Sequence, residues 1–442
     1  MKNLSILFPF LLIALLFGCK EEPPEEMLLS STVEQVLMKK VLEPWYPRVI
    51  DSLHGGYLSD FDYAWERTGK QNKMIVTQAR HVWTTSKAYN RSGDEGYKAM
   101  ARHGVKFLKD VMWDAEYGGF LNLVNQEGEV LDNSQEKRII KEAYGNAFAI
   151  YALAAFSKIS DEEKALDYAK SGFYWLEEYS HDSDLGGYFQ FMERDGRLLR
   201  QGSGRTPPKD QNSSIHLLEA FSELYGVWRD DLLKSRIEEL ISIIRDTITH
   251  EKGYMRLHFW EDWTPLSYRD STQESRENNH YLDHVSFGHD IETAYLLLEA
   301  EEVIGEESER THEVAKKMVD HALRFGFDDS LGGLYDGGYY LEEDAPLEIV
   351  RDSKNWWAQV ETLNTLQLME GLYPNDSMKY GDKFLKQWDY IDTYLIDHEQ
   401  GGFYAGGLDK EPERKEGNKS GIWKGAYHTA RSLLNVVERM EK

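Results

Sequence analysis

Residues 118–120 read Gly118-Gly119-Phe120, a glycine pair followed by an aromatic residue, and this short motif decides how the rest of the chain is read. It recurs as Gly55-Gly56-Tyr57, Gly186-Gly187-Tyr188 and Gly401-Gly402-Phe403, with Gly332-Gly333-Leu334 as an aliphatic version. Gly253-Tyr254 fills the remaining gap as a degenerate copy. The six turns lie about 63 to 79 residues apart. Self-similarity at a fixed period marks an architecture built from one repeated unit. Glycine supplies the positive-φ positions of a tight turn, and the residues after it suit a short hairpin.

Between the turns the apolar residues recur with helical period. The pattern predicts helices over about 30–53, 77–92, 95–113, 143–158, 161–179, 212–227, 229–249, 289–304, 308–326, 355–371, 375–396 and 421–440. That is two per period. Ser160-Asp161-Glu162-Glu163 reads as the cap of one helix, and Asn375-Asp376, after Pro374, as the cap of another. Six helical hairpins can stack as an open solenoid or close on themselves. Solenoid repeats usually span only about 33 to 47 residues. The expected fold is therefore all-α, a single (α/α)6 barrel of twelve helices with short β-hairpins at one end.

Composition narrows the function. The 442 residues carry 51 Lys+Arg against 77 Asp+Glu, a formal charge of −26, with 12 Trp and 26 Tyr. So acidic a chain lacks the basic face that phosphate backbones or anionic membranes require. Neutral ligands fit best. A single cysteine excludes a disulfide framework and a Cys-based zinc cluster.

That cysteine sits in an informative place. Residues 1–20, MKNLSILFPFLLIALLFGCK, join Lys2 to an apolar run too short for a comfortable membrane span. The ending Leu16-Phe17-Gly18-Cys19 resembles a bacterial lipobox. The expected organisation is a signal peptide over 1–18, a lipidated Cys19 with an acidic tether over 19–29, and the barrel over 30–442. Anchoring would be by lipid alone, on the periplasmic or outer face of a Gram-negative-type envelope, with the protein a monomer.

The unusual polar residues cluster at the starts of the even-numbered helices. They are Arg80-His81-Val82-Trp83, Tyr144-Gly145-Asn146, Asn212 with His216, His289-Asp290 with Glu292, Trp356-Trp357 with Glu361, and Trp423 with Tyr427-His428. In a barrel these inner-ring starts converge on one mouth. Glu292 lies three residues after His289 and so shares its helix face, where a carboxylate can orient or charge-stabilise the imidazole. Arg80 suits a developing oxyanion or, alternatively, a buried pair with a glutamate. The tryptophans suit sugar faces or core filling. Phe259-Trp260 and Trp263 suggest a lid. His280 and His284 near His289 leave a metal site open. Imidazoles in place of a carboxylate pair favour proton transfer over glycoside hydrolysis, and two facing bases are what epimerisation beside a carbonyl requires.

RHVWTTSKAYN, AYGNAFAIYALA, NSSIHLLEAF, SFGHDIETAYLLLEA, KNWWAQVETLNTL and GIWKGAYHTAR resemble the successive inner-helix motifs of the N-acylglucosamine 2-epimerase superfamily, most of all its cellobiose 2-epimerase branch. The resemblance spans roughly residues 30 to 440. It implies 2-epimerisation of a reducing-end aldose in a neutral mono- or disaccharide, without metal or redox cofactor. His289 and His428 then form the acid/base pair, Glu292 supports His289, and Arg80 steadies the enediolate. His216 and Asn212 handle the ring and its opening, while Tyr144, Trp356, Trp357, Glu361 and Trp423 line the sugar site. The region 250–288 is longer than the family core needs. An aldose–ketose isomerase, an N-acylglucosamine 2-epimerase and a non-catalytic glycan-binding surface lipoprotein are the alternatives.

Overall fold

A computed structural model describes residues 25–132, 137–160, 163–342 and 345–442. The signal peptide, Cys19 and most of the tether lie outside these residues, as do Asp161 and Glu162 of one expected cap. Among the described residues no helix is long and apolar enough to cross a membrane.

Among the described residues, twelve principal helices alternate between two rings. The outer ones are α1 (Glu25–Val36), α3 (Glu95–Phe107), α5 (Glu163–Tyr179), α7 (Asp231–Ile243), α9 (Glu309–Gly326) and α11 (Tyr380–Tyr394). The inner ones are α2 (Ile75–Ser92), α4 (Ala143–Ser157), α6 (Gln211–Tyr225), α8 (Phe287–Ile304), α10 (Trp356–Leu372) and α12 (Tyr427–Met440). Each inner helix packs on the next, and α12 packs back on α2, so the ring closes. The (α/α)6 barrel expected from the repeat is what forms.

Burial explains the two kinds of helix. α4, AYGNAFAIYALAAFS, is enclosed on nearly every face and is correspondingly apolar all round. Outer helices such as α9 bury one stripe, including Ala315, Met318, Val319 and Ala322, and leave the other to solvent.

Four helix ends differ from expectation, the first being the start of α1 at Glu25, inside the expected tether, rather than at about residue 30. α1 continues through a π-helical turn, Leu37–Leu42, to Trp45 and stops there, because Pro47 follows two residues on. α11 begins at Tyr380 rather than 375: Asp376 instead accepts from the Met378 amide, at 2.8 Å, within a turn. Residues 421–426 lack helix, so α12 starts at Tyr427 and leaves Trp423 on an irregular segment.

At each glycine turn the second glycine lies under a large ring. A Cβ on Gly56 would meet Phe107, and one on Gly119, Gly187 or Gly402 would meet Trp175, Trp263 or Trp65. Trp263 is thus part of this packing and not a lid; Phe259 is buried, and of that trio only Trp260 is largely exposed. In five repeats an aspartate accepts turn amides and also holds a buried lysine. The pairs are Asp51–Lys73 (2.9 Å), Asp114–Lys141 (3.0 Å), Asp182–Lys209 (2.7 Å), Asp328–Lys354 (2.9 Å) and Asp397–Lys419. The fourth repeat carries His250 and Val285 at these places.

Among the described residues, four two-stranded antiparallel sheets tie the turns together. Three join consecutive repeats: β1 (Lys73–Met74) with β2 (Leu123–Val124), β3 (Ile140–Glu142) with β4 (Phe191–Glu193), and β5 (Lys209–Asp210) with β6 (His258–Phe259). The fourth, β7 (Gly337–Tyr339) with β8 (Glu348–Arg351), is a local hairpin. The first strand of each joining pair runs directly into an inner helix and so fixes where that helix begins.

Candidate active site

The inner-helix starts line a cavity of about 180 Å³ that opens to solvent. Arg80, Tyr144, Asn212, His216, His289, Glu292, Trp356, Trp357, Trp423 and His428 line it. Six separate segments of chain therefore meet as the repeat implied.

Two imidazoles, His289 and His428, lie against one ring. The Trp357 indole is 4.7 Å from the His289 ring centroid and 5.6 Å from that of His428. Nδ1 of His428 is 2.8 Å from Oε1 of Glu361. That oxygen also takes the Arg431 guanidinium at 2.6 Å, so the pair fixes the imidazole with its proton on Nδ1 and its Nε2 lone pair free. Nδ1 of His289 meets the Ser286 hydroxyl at 2.7 Å. A hydroxyl both donates and accepts, so His289 can carry its proton on either nitrogen.

Two expected roles change here. Glu361 is fully buried behind His428 and does not reach the cavity, so it holds a histidine and not the sugar. Glu292 does not bond His289, whose partner is Ser286; it bonds Arg431 and stands 3.8 Å from Nδ1 of His428. Its charge still favours the protonated form of His289.

His216 has the same kind of support. Its Nδ1 lies 2.8 Å from Oε2 of Glu219. Desolvation pushes that carboxyl up, but Arg431, His216 and Tyr427 outweigh it and hold Glu219 below the usual carboxylate range. Glu219, Arg431 and Ser286 also belong to the site, although nothing in their local sequence singles them out. Arg431 is buried, bonds both Glu219 and Glu292, and joins Glu361, so one guanidinium ties three carboxyl groups beneath the cavity. Desolvation disfavours its charge, yet the surrounding carboxylates keep its proton affinity well above the ordinary value.

This arrangement bears on metal. Glu292, Glu361 and His428 offer ligand atoms close enough for a cation. The Arg431 guanidinium bonds both carboxylates of that set and already supplies the positive charge between them. His280 and His284 direct Nδ1 to backbone carbonyls at 2.9 and 3.1 Å, with ring centroids 6.3 Å apart, and do not gather with His289.

Arg80 has no carboxylate partner among the described residues. Its guanidinium lies over Phe148 (4.3 Å) and Tyr427 (5.0 Å) and donates to the Tyr144 hydroxyl at 3.1 Å. The glutamate pair that the sequence allowed is absent there, leaving a positive charge facing the cavity. Burial pulls His289 down to about 4, with Glu292 pushing back, and holds His428 well below the ordinary imidazole range. Both are neutral at pH 7, as a general base must be.

The profile of the N-acylglucosamine 2-epimerase (GlcNAc 2-epimerase) family matches residues 56–432. The chain belongs to that family. Its epimerase relatives include the cellobiose 2-epimerase of Bacteroides fragilis, 28% identical over 424 residues that cover 93% of this chain and 99% of that one. The D-mannose isomerase of Marinomonas mediterranea is 23% identical, covering 93% and 98%. Among solved structures, the cellobiose 2-epimerase of Spirochaeta thermophila superposes with a TM-score of 0.79 at 28% identity, covering 95% of this chain and 98% of that one. This family member is accordingly an enzyme of the isomerase class, a carbohydrate epimerase similar to cellobiose 2-epimerase.

Proposed function

We propose that the protein epimerises C2 of the reducing-end aldose of a β-1,4-linked disaccharide of the cellobiose or mannobiose type. The observation that carries this reading is the pair of neutral imidazoles against Trp357, each with its own hydrogen-bond partner. In the open-chain sugar one histidine removes the C2 proton through its free Nε2. Negative charge moves onto the carbonyl oxygen, where Arg80 stabilises it as an enediolate. The other histidine takes up a solvent proton on Nε2 as the enediolate charge develops and delivers it to the opposite face of C2, ending neutral, while the first imidazolium returns its proton to solvent. His289 serves in either direction, because the Ser286 hydroxyl accepts from its Nδ1–H in both the neutral and the protonated ring. His216, oriented by Glu219, assists opening of the ring, with Asn212 beside it. Tyr144, Trp356, Trp357 and Trp423 hold the sugar.

Incubating the purified protein with cellobiose, mannobiose, lactose, mannose and N-acylglucosamine, and following products by proton NMR, tests this reading. A C2 epimer of a disaccharide is expected. A ketose would favour the aldose–ketose isomerase reading, which the mannose isomerase relatives keep in view. No turnover of any sugar would favour a glycan-binding barrel.

We also propose that Cys19 is lipidated and anchors the protein in the cell envelope. The support is the Leu16-Phe17-Gly18-Cys19 ending of a short apolar segment, together with Cys19 being the only cysteine. Several acyl chains, unlike one, hold a protein firmly in a bilayer. Cys19→Ala should move the protein out of the membrane fraction, and a variant that stays there contradicts lipidation.

A further inference from the structure

The fourth residue of an inner helix repeatedly performs one task. Gln78, fourth in α2, accepts from the Tyr57 amide through Oε1 and donates to the Tyr57 carbonyl through Nε2, both at 2.8 Å. Asn146, fourth in α4, does the same to Phe120, at 2.8 Å from the amide and 3.5 Å to the carbonyl. Gln359, fourth in α10, clasps Leu334, at 2.6 and 2.8 Å. The clasped residue is always the one after the glycine turn, bridged to the end of the outer helix before it. Each amide thus locks the first turn of an inner helix onto its own glycine turn.

In α8 the fourth residue is Asp290, beside His289. Met255 holds the place of Tyr57, Phe120 and Leu334, since it forms the same bridge, to Thr249. The Met255 amide donates to Oδ1 of Asp290 at 2.8 Å. Half of the clasp is therefore present. The other oxygen, Oδ2, is buried without a partner that an ionised carboxylate could use, and the whole side chain is excluded from solvent. An ionised carboxylate can only accept, whereas the clasp needs one acceptor and one donor.

We propose that Asp290 works as a neutral carboxylic acid whose Oδ2–H donates to the Met255 carbonyl, completing the clasp that positions His289. The positioning role rests on the proton-transfer function proposed for His289; the protonation state does not. The surroundings agree. Among the described residues no ion pair involves Asp290, and desolvation drives its proton affinity well above the ordinary carboxyl value against the single Met255 amide. Tyr340, just after β7, faces it, and His321 on α9 is bonded to the Tyr340 hydroxyl at 2.9 Å. On α6 and α10, which pack against α8, the ionisable groups His216 and Glu361 are engaged by Glu219 and by His428 with Arg431. None of these supplies the cation that an ionised Asp290 would need.

Unfolding of wild type, Asp290→Asn and Asp290→Ala by denaturant, from about pH 5 to about pH 8, tests the proposal. An acid that binds its proton more tightly in the folded state must take one up on folding once pH exceeds the unfolded value of about 3.9. Its stabilising contribution is complete below that value and is lost as pH rises toward the folded value. Asparagine takes up no proton and offers both clasp bonds. The expected result is that the wild-type unfolding constant, relative to that of Asp290→Asn, rises by about tenfold per pH unit. Asp290→Asn should keep epimerisation within about twofold, and Asp290→Ala should be less stable than Asn at every pH. A ratio that does not change with pH, or an Asn variant that fails to fold, overturns the neutral acid. A pH-dependent ratio with turnover lost in folded Asp290→Asn overturns the positioning role. If wild type epimerises no sugar, the proposed function falls and the unfolding ratio still decides the state of Asp290.

Discussion

Nδ1 of His428 is 2.8 Å from Oε1 of Glu361, a carboxylate that lies wholly out of solvent and is itself held by Arg431. The contact selects the tautomer with the proton on Nδ1 and the lone pair on Nε2, the form the proposed base role needs. Replacing Glu361 by Gln preserves volume but offers an N–H as readily as an oxygen, so the imidazole can turn or change tautomer. Turnover should fall by about a hundredfold with little change in KM, the pattern of a group acting through its base. Steady-state kinetics on the purified variant checks this; unchanged kcat would mean that His428 needs no orientation.

Arg431 pairs with three buried carboxyl groups at once. Removing it leaves Glu219, Glu292 and Glu361 buried without their common partner. Breaking a buried ion pair from one side costs about 3–5 kcal/mol. Arg431→Met should therefore lower stability by at least that much in urea unfolding, and Arg431→Lys should recover only part of it, because an ammonium cannot match the planar fork. A near-neutral Arg431→Met would show that the three carboxyl groups bind protons instead.

Trp423 and Trp356 line the same cavity but are held differently. Trp423 is 55% exposed, whereas Trp356 is packed against the core. Core filling is thereby excluded for Trp423. Trp423→Ala should leave the thermal midpoint unchanged and reduce disaccharide turnover by about two- to tenfold, with a smaller loss on a monosaccharide. An equal loss on both sugars would remove Trp423 from the second-ring platform. Trp356→Ala should lower the midpoint as well.

The pH dependence follows from burial. His289 gains its proton only as pH falls toward about 4, and burial likewise holds His428 well below the ordinary imidazole range. The acid limb of kcat/KM should then fall well below the ordinary imidazole value of about 6.5. Stability moves in the same direction. His81 and His284, desolvated to about 3, stay neutral when folded but bind protons when unfolded. Their contribution is complete above about pH 6.5 and is lost as pH falls toward the folded values. Assaying at acid pH and again after return to neutrality separates titration from unfolding. A limb centred near 6.5 would contradict the buried, neutral bases.

Much of this was legible in the sequence, for reasons that also explain what was not. The glycine pairs announced the period because their positive φ and the rings packed on them leave room for no other residue. The inner-helix starts announced the cavity because their polar residues break an otherwise apolar helix. Partner assignments inside the cavity were another matter. His216-x-x-Glu219 and His289-x-x-Glu292 have the same spacing, yet only the first is a direct pair. Glu292 is drawn instead to Arg431, which lies 139 residues away in the chain. Arg431 stood within the AYHTAR motif, but nothing local marks a guanidinium whose partners come from three other helices. Strand pairing between consecutive repeats, as in Lys73 opposite Val124, was hidden for the same reason.

The most direct test of the central claim, two histidines acting on C2 from opposite faces, is deuterium exchange in D2O. Wild type, His289→Ala and His428→Ala would each be incubated with either epimer of the disaccharide and examined by NMR for label at C2. The two-base account predicts C2 label and epimerisation in wild type. It predicts that neither variant epimerises, and that each variant exchanges the C2 proton of only one epimer, the two variants choosing opposite ones. Label at C1 with formation of a ketose would contradict the account, as would either variant epimerising near the wild-type rate.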